Sequence, residues 1–429
     1  MNYTEFLASK RRVYTGRGIH SASLPNQLHT WQRSIVQWAL RKGRAAIFAD
    51  CGLGKTFMQV AWAAALPCRT LILAPLCVAE QTVREAAKLG VVVKYALNHD
   101  DAGDAAIVIT NYERIEKFIV SDFGAVVLDE SSILKSFDGK TRTRLIEAFK
   151  ETPYRLCCTA TPSPNDIAEL GNHAEFLGLC TRPEFLATWF IHDDAGWRMK
   201  GHAVTPFYRW LASWAVALRS PSDLGYDGAG YTLPALRIHD AVVGEDAPID
   251  GVLFSELALK GVGGRIRARK ASVESRVKEA ARLASGDGQW IVWCGLNSES
   301  DAVTDLVDGA VNVQGTDTHA DKSGAVEAFI CGDVRVLVTK PKILGFGMNF
   351  QHCHQMVFLG LSDSYETYYQ CVRRSWRYGQ ARQVDAYVVV SPAERAVVEN
   401  VRRKEAHADA LTQNLLQHVA EFEKEELVA

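Results

Sequence analysis

Short, unbroken apolar runs separated by amphipathic stretches leave few folds open to this 429-residue chain. In its first half the runs are Ala45–Phe48, Thr70–Ala74, Ala106–Thr110, Ala125–Leu128 and Leu156–Cys158. A second set follows at Trp290–Cys294, Val311–Val313, Val334–Val338, Gln355–Leu359 and Ala386–Val390. A strand covered by helices on both faces shows continuous rather than alternating hydrophobicity. Helical stretches such as Thr56–Ala65 and Val78–Leu89 lie between the runs. The pattern therefore predicts an α/β fold with a parallel sheet in each block. Between the blocks, about residues 165–285 are less regular, with a Trp-rich helical stretch (Trp189, Trp197, Trp210, Trp214) and a glycine-rich loop at Gly225–Tyr231. We expect an N-terminal domain over 1–240, carrying a helical insertion near 165–235, and a C-terminal domain over 241–429 that closes on a charged helix from Glu394.

A chain of this length can bury two separate cores. The hydrophobic share is 48% and the charged share 23%, as in ordinary globular proteins. A formal charge of -2 disfavours a wholly basic nucleic-acid binder but allows a basic track along one groove. The ten cysteines lack the paired spacing of a zinc site or a disulfide scaffold, so a reducing cytoplasm is expected. No apolar run reaches membrane-spanning length, and no membrane partner is expected. His352-Cys353-His354 has no further ligand cluster nearby in sequence, and Arg265–Lys270 reads equally as a solvated face or a phosphate contact.

The chemistry centres on Ala49-Asp-Cys-Gly52-Leu-Gly54-Lys55-Thr56, which follows one predicted strand and opens a helix. That context suits a phosphate loop: Gly52 and Gly54 let backbone N–H groups turn inward, and the helix N-terminus adds a favourable dipole. Lys55 can reach β- and γ-phosphates, and the Thr56 hydroxyl can ligate Mg²⁺. The strict pattern has glycine where this chain has Ala49. A second signal is Val126–Glu130, an apolar strand ending in two carboxylates. Asp129 is placed to hold Mg²⁺ through water, and Glu130 to take the proton of an attacking water. A third is Gln370–Gln380, where Arg374 and Arg377 share a helix face and can neutralise charge on a transferred phosphoryl group.

These motifs, in this order, resemble those of superfamily-two helicases, and more closely the Swi/Snf group of duplex-DNA translocases. Leu28–Gln32 resembles the adenine-reading Q motif, which implies that Gln32 contacts the base. Ala74-Pro75 with Gln81 and Glu85 resembles motif Ia, and Ile109–Glu113 resembles motif Ib, implying nucleic-acid contacts at Asn111 and Tyr112. Asp129-Glu130-Ser131-Ser132 with Leu134-Lys135 stands where the family has its DEAH-x-x-K box, and Lys135 is assigned to nucleic acid. Thr159-Ala-Thr161-Pro162 with Asn165 resembles motif III, giving Thr159 and Thr161 a coupling role. Gly345–Phe350 resembles motif V; Gly347 is assigned to nucleotide, and the preceding Lys340 and Lys342 to nucleic acid. Gln370–Gln380 is similar to the Q-x-x-x-R-x-x-R-x-G-Q motif VI, with Gln370 in a coupling role. Ser131-Ser132 in place of Ala-His, and Arg373 in place of an acid, are departures from the family.

The resemblance implies two tandem RecA-like lobes, each a parallel sheet flanked by helices, with ATP and Mg²⁺ in the cleft between them. The expected activity is DNA-dependent ATP hydrolysis driving movement along or remodelling of double-stranded DNA, in bacterial or phage-infected host cytoplasm. A separate nuclease or a replication or recombination factor is the expected protein partner. Two alternatives share the same ATP residues: a strand-separating DNA or RNA helicase, and a nucleotide-controlled clamp or adaptor. The sequence contains no apparent wedge module, so little duplex unwinding is expected.

Overall fold

The computed structural model describes residues 13–20, 22–75, 78–135, 139–193, 196–244, 272–345 and 348–428. The chain divides into two compact units, Met1–Tyr231 with His407–Ala429, and Thr232–Ala406.

In the first unit the strands are β1 (Arg44–Ala49), β2 (Thr70–Ala74), β3 (Lys94–Tyr95), β4 (Ile107–Asn111), β5 (Ala125–Asp129), β6 (Tyr154–Cys158) and β9 (Ala215–Leu218). They form one seven-stranded sheet in the order β3-β4-β2-β5-β6-β1-β9, parallel throughout. Successive residues of β1 serve opposite faces: Ala46 and Phe48 enter one apolar cluster, while Ala45, Ile47 and Ala49 enter the other. Both faces are thus covered, which is why the central strands read as unbroken apolar runs. The first cluster absorbs Trp189, Trp210 and Trp214, whereas Trp197 is 37% exposed. Trp197 lies on an antiparallel strand pair, β7 (Phe190–Asp193) with β8 (Gly196–Met199), and not on the helix expected for this stretch.

The second unit holds a six-stranded parallel sheet, built from β10 (Leu236–Val242), β11 (Trp290–Cys294), β12 (Ala310–Val313), β13 (Val336–Thr339), β14 (Gln355–Leu359) and β15 (Val384–Val390). Its order is β10-β15-β14-β11-β13-β12. Arg276, fully buried, pairs with Glu299 at 2.7 Å and with Glu394 at 3.3 Å. The two sheets, each flanked by helices, form the α/β architecture of a RecA-like pair.

The charged helix expected from Glu394 forms as Arg395–Val428, but its residues from His407 onward belong to the first unit. Leu415 is buried there, His418 stacks on Tyr208 at 4.8 Å, and the Arg209 guanidinium lies over Phe422 at 4.6 Å. The Ala217 N–H, on edge strand β9, donates to Glu423 Oε1 at 2.7 Å. Burial first, then the nearby Asp223, pushes the Glu423 carboxyl up from 4.5 to about 8. Glu423 is therefore neutral in the folded unit and charged in the unfolded chain at any pH between those values. Stability from this group is full at low pH and declines as pH rises towards 8, by about 1.4 kcal/mol per pH unit. Glu423→Gln should remove this part of the pH dependence and melt above the parent at pH 8. Thermal melting at pH 6 and pH 8 checks it, and an unchanged slope contradicts the buried-acid account. No described helix is long and apolar enough to cross a membrane.

Candidate active site

Three neighbouring strands of the first sheet, β5, β6 and β1, end at the same edge. Carboxyl ends of parallel strands are where open α/β sheets bind ligands, because the loops there are free to diverge. β1 ends at Ala49 and hands over to the glycine loop, β5 ends at Asp129, and β6 ends just before Thr159.

The loop after β1 turns through Gly52 (φ 89°) and Gly54 (φ 71°, ψ 36°), left-handed conformations that glycine adopts without a Cβ penalty. The helix Lys55–Ala64 starts at once, so its first-turn amides have no intrahelical acceptors. Lys55 Nζ curls back to donate to Ala49 O at 2.8 Å and Asp50 O at 3.3 Å. This places the ammonium inside the loop's curve. Lys55 and Thr56 are both part-buried. Gln32, buried on the helix Thr30–Lys42, donates from Nε2 to Leu53 O at 3.1 Å and accepts the His29 N–H at 3.0 Å. A Cβ on Gly54 would lie 2.5 Å from Gln32 Nε2, so a side chain here would push the Gln32 amide off the loop as well as strain the φ.

Asp129 is buried, and Gln59 Nε2 donates to its Oδ1 at 2.7 Å from the helix that Lys55 opens. Burial first, then the neighbouring Glu130, pushes its carboxyl up to about 6, while Gln59 and Lys55 pull the other way. Glu130 is part-buried with φ 54°, the only non-glycine residue at positive φ among the described residues. Its Oε2 accepts from Thr159 Oγ1 at 3.3 Å, and Thr159 Oγ1 in turn accepts the Thr161 N–H at 3.1 Å. The sheet thereby brings Lys55, Thr56, Asp129, Glu130, Thr159 and Thr161 to one edge.

This donor set suits a divalent cation held mostly by phosphate and water oxygens, with the Thr56 hydroxyl and Asp129 carboxylate as protein contacts. Asp129, whose burial beside Glu130 resists ionisation, is a carboxylate that a bound cation would relieve. Among the described residues, no cluster of three or more His, Cys, Asp or Glu could hold a metal without such help.

Other sequence candidates lie elsewhere. Asn111 and Tyr112 are buried, and the Tyr112 hydroxyl donates to Asp129 O at 2.7 Å. Neither side chain faces solvent here, and Tyr112 supports the acidic strand. Lys135 is part-buried. In the second unit, Lys342 is exposed and Lys340 donates to Asn297 Oδ1. Gln370 is buried and accepts from Arg374 Nη2 at 2.6 Å. Arg374, also buried, donates to Met348 O at 3.2 Å, while Arg377 is part-buried and donates to the same oxygen at 3.3 Å. Gly347 and the basic run Arg265–Lys270 lie outside the described residues. The sequence reading missed Gln59, whose role shows only once its helix packs beside β5.

Residues 29–170 match the DEAD/DEAH box helicase family model. The matched span contains Gln32, the glycine loop, Asp129-Glu130 and Thr159–Thr161. It supports a helicase-like superfamily-two ATPase with ATP-dependent nucleic-acid motor activity. Arg374 and Arg377 lie beyond this helicase match. No curated protein matches the chain.

Proposed function

We propose that this protein hydrolyses ATP to translocate along double-stranded DNA. The observation that carries the ATPase part is the convergence of Lys55, Glu130 and Thr159 at the ends of β1, β5 and β6. In this reading the glycine loop and the Lys55–Ala64 helix N-terminus hold the phosphates, and Lys55 exchanges its main-chain partners for phosphate oxygens. Gln32, already seated against the loop, orients the base. Thr56 and Asp129 would hold Mg²⁺, which would supply charge neutralisation on the phosphate oxygens. Glu130 takes the proton of the attacking water, and Thr159 steadies its carboxylate. The likeness of Gln370–Gln380 to motif VI assigns Arg374 and Arg377 to the transferred phosphoryl group.

The duplex-DNA part rests on the Gly379-Gln380 ending of the Gln370–Gln380 segment and its likeness to Swi/Snf-type motors. A motor of this kind grips phosphates rather than bases, so binding should weaken steeply with salt. It should displace a third strand from a triplex in an ATP-dependent way. One observation favours a strand-separating reading instead: the β7–β8 strand pair exposes Ile191 and Trp197. Exposed aromatic side chains can stack on unpaired bases. Triplex displacement and forked-duplex unwinding, measured together, separate the two. Third-strand release without unwinding is expected, and efficient unwinding with no triplex release would overturn the duplex-translocase reading.

A further inference from the structure

Glu130 raises a physical question that its proposed role leaves open. A non-glycine residue in the left-handed region persists only where its surroundings over-determine it. On the strand side, the Tyr112 hydroxyl fixes the Asp129 carbonyl. The other side is fixed by the short helix Leu170–Phe176, which follows the Thr159–Thr161 segment in the chain. His173 Nε2 lies 3.1 Å from Ser131 Oγ, and both residues are fully buried. Asn172, likewise fully buried, donates from Nδ2 to Leu134 O at 2.8 Å and Lys135 O at 3.2 Å.

Burial lowers the His173 imidazole to about 4, so at neutral pH its Nε2 can accept the Ser131 hydroxyl proton. The Phe48 ring packs edge-on against the imidazole, with centroids 5.3 Å apart, and fixes its plane. The turn leading into this helix is itself braced, since Glu169 accepts from Asn165 N at 3.2 Å and Asn165 Nδ2 at 2.8 Å. One stretch of chain therefore holds Glu130 twice. Thr159 meets its carboxylate, and Asn172 with His173 grips the turn immediately after it. Ser131 and Ser132 stand where helicases of the resembled group have Ala-His. An alanine at position 131 would have no hydroxyl to offer His173.

We propose that Asn172 and His173 are positioning residues for hydrolysis: they lock the Ser131–Lys135 turn and so hold the Glu130 main chain in the conformation that aims its carboxylate. This rests on the reading of Glu130 as the group that takes the water's proton. A slack turn lets the carboxylate wander, which weakens chemistry while leaving the phosphate loop intact.

The test compares His173→Phe, His173→Gln, Asn172→Ala and Ser131→Ala in the full chain, each with and without Glu130→Gln. Steady-state ATP hydrolysis, binding of a fluorescent ATP analogue and thermal melting are read for every variant. His173→Phe and Asn172→Ala should lower kcat by about tenfold to a hundredfold while nucleotide affinity stays near the parent's. His173→Gln retains an acceptor at the same reach and should recover most of the loss. In the Glu130→Gln background, His173→Phe should cost nothing further, because the group it positions is gone. Folded His173→Phe and Asn172→Ala variants with parental kcat would overturn the proposal. So would the same fractional loss in both backgrounds, or a kcat loss that merely tracks lowered melting and weaker nucleotide binding. Full activity of Glu130→Gln alone would instead remove the reading on which the clamp rests, and the two failures are told apart by that single variant.

Discussion

Lys55→Ala is expected to abolish ATP turnover while leaving the first unit folded. In the structure the Lys55 ammonium reaches Ala49 O and Asp50 O across the glycine loop, so the cation already occupies the place where phosphate charge would accumulate. Removing it deletes an ammonium contact that holds the β- and γ-phosphates in the ground state and strengthens as charge builds up in the transition state. The loss should therefore appear in nucleotide affinity and in kcat together. Lys55 is only part-buried and its partners are main-chain oxygens, so little packing is lost. Thermal melting within a few degrees of the parent, with no measurable hydrolysis, is the expected result. Near-parental turnover in a folded Lys55→Ala protein contradicts the assignment of the loop.

Glu130→Gln is expected to separate binding from chemistry. An amide matches the carboxylate in size and still accepts from Thr159 Oγ1, so the local contacts survive. It cannot take a proton from water, and general-base catalysis typically contributes about 10²–10⁴ in rate. Nucleotide binding should be retained or tightened, because replacing Glu130 also removes the negative charge beside Asp129. A kcat lower by about a hundredfold or more, with unimpaired binding of an ATP analogue, is the prediction. Rapid turnover moves the base elsewhere.

Much of this arrangement is legible in the sequence because buried parallel strands leave an unbroken apolar mark. The exceptions have physical reasons. β3 is two residues long, and β9 is hidden among tryptophans that belong to a core beneath the sheet. β10 is an edge strand with no fully buried residue, so its Leu-Arg-Ile-His-Asp pattern never forms an apolar run. The long terminal helix is readable from its composition, but the surface it packs on is not. Leu415 and Phe422 find their places only in the folded first unit.

The site divides in the same way. Lys55, Asp129 and Glu130 stand out because glycine spacing and strand-end carboxylates are local signals. Asn111 and Tyr112 carry a motif-like signature yet are buried, and the Tyr112 hydroxyl serves Asp129 rather than solvent. His173 has no sequence signal at all. It meets Ser131 across 42 positions of sequence, through a helix whose placement depends on the sheet being formed.

The measurement that bears most directly on a nucleic-acid motor is the steady-state ATPase rate without nucleic acid and with duplex DNA, single-stranded DNA and RNA in parallel, at one low salt concentration. Duplex DNA should stimulate hydrolysis more than single strands or RNA, and the stimulation should fall as salt is raised. A rate that none of the three nucleic acids changes would contradict the motor account and favour a nucleotide-controlled clamp.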